Sequence, residues 1–222
     1  HAIGPWTIRD GAGGGERVSA ATATGAVTEG DIPLAEAEMT ARGQSPLFQL
    51  RAEDSALDGL LAARGYEIVD PTVLLSCPTA TLTQERPPRA SGFLVWEPLQ
   101  IMREIWAEGG IGPERLAVME RAAHPKVGIL GRAQDKPAAA AFVAVHDGVA
   151  MLHALEVQPE LRRLGVARDL VTHAAIWAQG QGAQIFALAV TQANAAALGL
   201  YASRGMTPSG TYHYRIKPEP IR

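Results

Sequence analysis

Residues 157–167 read Val157-Gln158-Pro159-Glu160-Leu161-Arg162-Arg163-Leu164-Gly165-Val166-Ala167. An apolar, strand-like segment from Val149 to Val157 precedes this run, and an amphipathic helical pattern from Leu164 to Gln179 follows it. A strand, a short turn and a helix make a place to hold phosphate. The first N–H groups of a helix have no intrahelical partner, and the helix dipole puts partial positive charge there. Gly165 and Ala167 let a ligand approach the backbone closely, and Arg162 and Arg163 offer fork-shaped cations that suit phosphate oxygens. Taken alone, the pattern is equally an ordinary loop with solvated arginines. It is not a Walker loop, because no Gly-Lys-Ser/Thr follows, and the three-glycine dinucleotide spacing is absent.

A second constellation lies downstream. Ile185 to Val190 reads as a buried strand. Asn194, Ala197, Leu198 and Tyr201 then recur at helical spacing, and Gly205 occupies the position after a helix that favours a left-handed residue.

Arg162-x-x-Gly165-x-Ala167 resembles the Q/R-x-x-G-x-G/A signature of the GNAT superfamily of acyl-CoA-dependent N-acyltransferases. Asn194-x-x-Ala197-x-x-Leu200-Tyr201-x-x-x-Gly205-Met206 is similar to that family's second block, N-x-x-A-x-x-L-Y-x-x-x-G-F. Order and separation agree, and the likeness spans residues 95–216. Arg162, Ala167 and Met206 stand where Gln, Gly and an aromatic are common. None of these departures removes a group that the chemistry needs.

The resemblance implies an α/β (α+β) fold: a mixed, mostly antiparallel sheet flanked by helices. It implies acetyl-CoA as cosubstrate and no metal. The backbone from Arg163 through Gly165, Val166 and Ala167 to Arg168 would hold the pyrophosphate, with Arg162 a further cofactor-binding residue, and the strand edge at Leu155 to Val157 would pair with the pantetheine amides. Asn194 would contact the cofactor; a helix cap is the alternative role, and the two are compatible. Tyr201 would be the acid; a phenol's pKa of ~10 is near enough to a thiol's ~8.5 for proton transfer.

His153 and Glu156 are candidates for the base. Strict alternation puts them on opposite faces, unless the strand bulges there as GNAT strands often do. Histidine has the better unperturbed pKa, and Glu156 would need raising by burial. His213 and Tyr214 are candidates to line the acceptor site or simply alternate along a last strand. The acceptor groove of this fold would use Trp96, Met102, Trp106, Tyr212 and Tyr214, with Glu97, Glu104 and Glu108 nearby.

Elsewhere, Trp6 to Arg9 and Arg17 to Ala21 read as two short strands around Gly11-Ala12-Gly13-Gly14-Gly15, a hairpin rather than a phosphate loop. Helices are expected over Ile32 to Arg42 and from Asp54 or Ser55 to Gly65. Strands are expected over Leu47 to Arg51 and Tyr66 to Ser76. Phe48, a helix and Arg64-Gly65-Tyr66 echo Phe186, a helix and Arg204-Gly205-Met206. Residues 1–77 therefore read as a degenerate GNAT-like half with no Arg-x-x-Gly-x-Ala turn. Residues 78–92 read as an exposed linker and 93–222 as the catalytic domain, with helices over Pro98 to Glu108 and Pro113 to Ala122 and strands over Val127 to Leu130 and Ala138 to Val145.

The chain has 222 residues, 47% of them hydrophobic, which is enough for a packed core. A net charge of −3 argues against a nucleic-acid face. No apolar run approaches the ~20 residues of a membrane span. Cys77 is the only cysteine, so a reducing cytoplasm is the expected home, and the residue reads as core rather than nucleophile. No secretory signal is visible, and a start at His1 is expected of a trimmed or tagged sequence. The expected activity is transfer of an acetyl group to a primary amine, on a small molecule or a peptide N-terminus, by direct attack in a ternary complex. A non-catalytic acyl-CoA-binding or regulatory protein is the alternative, and a homodimer is left open.

Overall fold

The computed structural model describes residues 1–218. In chain order the elements are β1 (Ala2–Ile3), β2 (Trp6–Thr7), α1 (Glu16–Ser19), β3 (Thr22–Ala23), α2 (Ile32–Ala41), β4 (Leu47–Arg51), α3 (Ser55–Ala63), β5 (Glu67–Pro78), α4 (Thr79–Leu82) and β6 (Gly92–Val95). They continue with α5 (Gln100–Glu108), α6 (Pro113–Arg121), β7 (Lys126–Ala133), β8 (Lys136–His146), β9 (Val149–Val157), α7 (Val166–Gly180), β10 (Ile185–Thr191), α8 (Ala195–Ser203) and β11 (Thr207–Ile216). The chain forms two compact units. The first comprises His1–Val73, Thr191–Ala193 and the chain from Gly210 on; the second comprises Leu74–Val190 and Asn194–Ser209. The division thus falls inside β5, at the end of β10 and inside β11, rather than at the expected 77/78 and 92/93.

In the first unit, β1, β2 and β3 form a small antiparallel sheet. β4 pairs antiparallel with β11, from Leu47↔Ile216 to Arg51↔Tyr212. Trp6, Phe48 and Tyr66 stack through the core at 5.2 and 5.4 Å between ring centroids. Ile32, Met39, Leu50 and Leu61 fill the space around them. The expected strand Arg17 to Ala21 is instead the one-turn helix α1. Ser19 Oγ donates to Gly15 O at 2.9 Å and Ala20 N–H to Glu16 O at 2.8 Å, which closes a helical turn. Pairing with β2 passes to Thr22 and Ala23. Gly11 permits this closure, since a Cβ there would lie 1.9 Å from Ser19 Oγ.

In the second unit the strands run in the order β5-β10-β9-β8-β7-β6. The pairs β6–β7, β7–β8 and β8–β9 are antiparallel, and β9–β10 is parallel. This is the mixed, mostly antiparallel sheet that the resemblance implied. α7 packs so closely that a Cβ on Gly131 would meet Leu170 Cδ1 at 2.4 Å. Met102, Ile105 and Trp106 of α5, with Leu116 and Met119 of α6, pack against Leu130, Ala140 and Phe142. The stretch 78–92 is not an open linker. Thr79 N–H donates to Gln184 O at 2.8 Å, Leu82 is fully buried, and Gly92 opens β6. No helix among the described residues is long and apolar enough to cross a membrane.

Candidate active site

β9 is the strand on which the site is built. His153 pairs with Phe142 of β8, and Glu156 pairs with Ala140. Three steps along β9 therefore match two along β8, so β9 carries one extra residue, a β-bulge. Ala154 sits at the bulge with a left-handed φ of 50°. Residues two apart on β8 share a face, so His153 and Glu156 share one too. Strict alternation, which would separate them, does not hold here.

The bulge has a specific support. Its turned carbonyl, Ala154 O, accepts the indole N–H of Trp106 at 2.7 Å. Trp106 is fully buried in α5, as is Met102, so these two residues form core rather than the surface of an acceptor groove. The His153 ring lies 6.4 Å from that of Phe142.

The register between β9 and β10 runs from Val149↔Ile185 to Leu152↔Leu188. β9 then continues to Val157 and β10 to Thr191, so Leu155 and Val157 lie past this paired stretch. Where two parallel strands cease to pair, backbone donors and acceptors stand at the spacing of a missing strand.

After β9 the chain makes a short 3₁₀ turn at Pro159–Leu161, anchored by buried Leu161. Arg163 and Gly165 both take left-handed conformations, at φ 66° and 83°. Gly165 is the N-cap of α7, and Asp169 N–H is the first to bond back, to Gly165 O at 3.0 Å. The N–H groups of Val166, Ala167 and Arg168 therefore point out of the helix end. A Cβ at Gly165 would have room, since the nearest atom, Arg168 Nη2, is 3.8 Å away. It is the positive φ that calls for glycine.

The arginines divide their work unexpectedly. Arg162 turns back toward the strand: its Nε donates to Val157 O at 3.0 Å and its Nη2 to Glu156 Oε1 at 3.1 Å. Arg168 lies 3.5 Å from Asp169. Arg163 is exposed. The Arg162 fork is thus taken up by the strand, and the outward groups at this turn are the backbone N–H groups of the α7 end.

Asn194 is the N-cap of α8, with Oδ1 accepting from Ala197 N–H at 3.0 Å. The capping role weighed against a cofactor contact is therefore realised. Tyr201 lies seven residues on, which puts both on one side of the helix. Tyr201 is buried, and that burial pushes its phenol up to about 12. α8 ends at Gly205 (φ 80°), where Met206 N–H bonds Tyr201 O at 3.1 Å.

His213 and Tyr214 belong to the first unit and face opposite ways. His213 Nε2 lies 2.8 Å from Asp58 Oδ1, whereas Tyr214 stacks edge-on against Tyr212 at 5.5 Å. Cys77 is buried, and burial pushes its thiol up, which disfavours the nucleophilic thiolate. Among the described residues no group of three or more His, Cys, Asp or Glu could hold a metal.

One residue near the site escaped the sequence reading in its role, Trp106, which holds the bulge. A tryptophan in the last turn of a helix, followed by two glycines, was the available signal.

Comparison with known proteins agrees with this geometry. A GCN5-related N-acetyltransferase from Kribbella flavida superposes with a TM-score of 0.68 at 19% identity, over 91% of this chain and 82% of that one. A conserved protein of unknown function from Staphylococcus epidermidis gives 0.65 at 13%, over 94% and 87%. A tandem GNAT protein from the clavulanic acid biosynthesis pathway gives 0.60 at 14%, over 91% and 76%. At these identities the likeness is one of fold. No curated protein matches the chain. The acetyltransferase (GNAT) family matches residues 96–206, half of the sequence, and contains the bulged strand, the Gly165 turn and Tyr201. The chain belongs to the GNAT acetyltransferase family, whose members transfer acyl groups.

Proposed function

We propose that the protein transfers an acetyl group from acetyl-CoA to a primary amine by direct attack, with both substrates bound together. The observation that carries this reading is the joint geometry of β9 and α7. The strand bulges and runs on past its paired stretch with β10, and the next helix begins at a left-handed glycine. The outward N–H groups of Val166, Ala167 and Arg168 suit a pyrophosphate, with partial positive charge from the helix end behind them. Leu155 and Val157 offer backbone groups to an amide-bearing arm past that stretch.

Acetyl-CoA would supply the thioester. The chain's residues would handle protons and charge. His153 and Glu156, brought to one face by the bulge, take the proton that the amine must lose. With its pKa raised to about 12, the Tyr201 phenol lies well above a thiol's ~8.5. Full proton transfer to a departing thiolate is therefore uphill, and the phenol serves as a hydrogen-bond donor to the sulfur. The buried thiol of Cys77 makes an acyl-cysteine route unattractive. The first unit fits the reading of a degenerate half. α3 ends as α8 does, with Gly65 at φ 81° and Tyr66 N–H on Leu61 O at 3.0 Å. Leu61 stands in the place of Tyr201, and no turn like that at Gly165 precedes it.

The test is thermal stabilisation by coenzyme A, together with thiol release from acetyl-CoA across a panel of amines, peptides and aminoglycosides. Wild type should be stabilised and should turn over at least one amine. Gly165→Glu, which puts a carboxylate and a strained φ at the phosphate site, should abolish the stabilisation. Absence of any shift in wild type sinks the site. Binding without turnover across the panel would favour an acyl-CoA-binding protein.

A further inference from the structure

α5 ends in two consecutive glycines, and only one is explained by the backbone. Gly110 has φ 77°, the left-handed residue after the helix, and Ile111 N–H closes the cap on Trp106 O at 2.7 Å. Gly109 has φ −80° and ψ 7°, a conformation open to any residue. What a side chain there would meet is Glu156. A Cβ on Gly109 would lie 2.5 Å from Glu156 Cγ, 2.7 Å from Cδ and 2.9 Å from Oε2. Trp106, three residues earlier in the same turn, holds the bulge through Ala154 O at 2.7 Å.

We propose that the C-terminal turn of α5 is the positioning device of the proton-accepting face. Trp106 fixes the extra residue of β9, and Gly109 leaves the space in which the Glu156 carboxylate lies. This rests on the reading of Glu156 as part of the proton-accepting pair. The bulge alone determines which face Glu156 occupies. Gly109 determines how far its carboxylate can settle toward α5, and so where the carboxylate stands relative to His153 and to its partner Arg162, 3.1 Å away. Neither Trp106 nor Gly109 is assigned a contact with a reacting atom, so neither is a catalytic residue.

Gly109→Ala tests this with little risk to the fold, because the backbone accepts alanine and the atoms displaced belong to a flexible side chain. The expected result is a fall in kcat of roughly tenfold to hundredfold, since misplacement of about 1 Å costs that much. KM for acetyl-CoA should not change. In a Glu156→Ala background the same substitution should have no further effect. An equal loss in both backgrounds, or no loss in wild type, overturns the proposal. A carbon-13 titration of the Glu156 carboxyl group gives a readout independent of turnover. Gly109→Ala should move its midpoint, and an unmoved midpoint overturns the proposal even if activity falls. Full activity in Glu156→Ala would instead refute the proton-accepting role of Glu156, and the titration would still decide the positioning. Trp106→Phe keeps an aromatic side chain, though a smaller one, and loses the N–H; it should also lower kcat in the wild-type background.

Discussion

Tyr201 illustrates how burial changes what a side chain can do. Its phenol stays protonated up to about 12, so ionisation of this group adds no alkaline fall to the rate in ordinary buffers. Because its native pKa lies above the ordinary value, the neutral form is favoured in the fold, and the associated stability is fully present below the unfolded value of ~10 and lost as pH rises from there through the native value. Tyr201→Phe keeps the buried ring and removes one donor. It should lower kcat by roughly 10²-fold, the cost of losing one donor to a developing negative charge, with KM for acetyl-CoA little changed. An unchanged kcat, measured by thiol release, would leave the phenol a core aromatic. Sequence spacing revealed the cap at Asn194 and the left-handed Gly205, because helix caps and left-handed glycines are local features. It could not reveal that the Arg162 fork is taken up by Glu156. That contact joins two side chains six residues apart across a turn whose φ values of 66° and 83° no pattern specifies.

Elements meet through a few polar joints, and the firmest in the first unit links α3 to β11. Asp58 accepts from Arg215 Nε at 2.8 Å and Nη2 at 3.1 Å, with His213 at 2.8 Å, while Arg215 Nη1 reaches Tyr66 O at 2.7 Å. The Arg215 hydrogen bonds, aided by His213, hold the Asp58 carboxyl below its usual range against the opposing effect of burial. A lowered native pKa stabilises the fold fully above the unfolded value of ~3.9 and is lost as pH falls through the native value. Asp58→Asn should therefore lower the urea midpoint at pH 7, and the gap to wild type should narrow in acid. A gap that persists or widens in acid would contradict the pairing.

At the scale of elements most of the fold was legible. β9 was expected over Val149 to Val157 and is found there, because its apolar run is bounded by Asp147-Gly148 and Gln158-Pro159. β6 and α4 were not legible. The stretch 78–91, which contains α4 and leads into the four-residue β6, is rich in Thr, Pro and Arg, and tertiary partners order it: Gln184 O for Thr79 and β7 for β6. α1 was misread as a strand because a single turn leaves no periodic pattern, and it is closed by the Ser19 hydroxyl and one backbone bond, Ala20 N–H to Glu16 O.

The whole molecule is divided in a way that the order of the sequence hides. The family match covers 96–206, yet the second unit also includes Leu74–Pro78 of β5. A protein cut to residues 93–222 would keep every candidate site residue and lose that segment of strand. It would also keep the chain from Gly210 on without β4, its pairing partner. It should unfold with a broad, weakly cooperative transition by circular dichroism. A sharp transition at the wild-type temperature would show that 93–222 is self-sufficient.

The pairing of β4 with β11 also has a consequence for how the protein is made. Leu47–Arg51 is synthesised about 160 residues ahead of its partner, Tyr212–Ile216. At roughly 5–20 residues per second, that interval is on the order of ten seconds or more. Throughout it Phe48 and Leu50 belong to a strand whose neighbour has not been translated. The first unit is thus begun before the second and completed after it, and its nascent strand edge is the surface a chaperone would have most reason to shield.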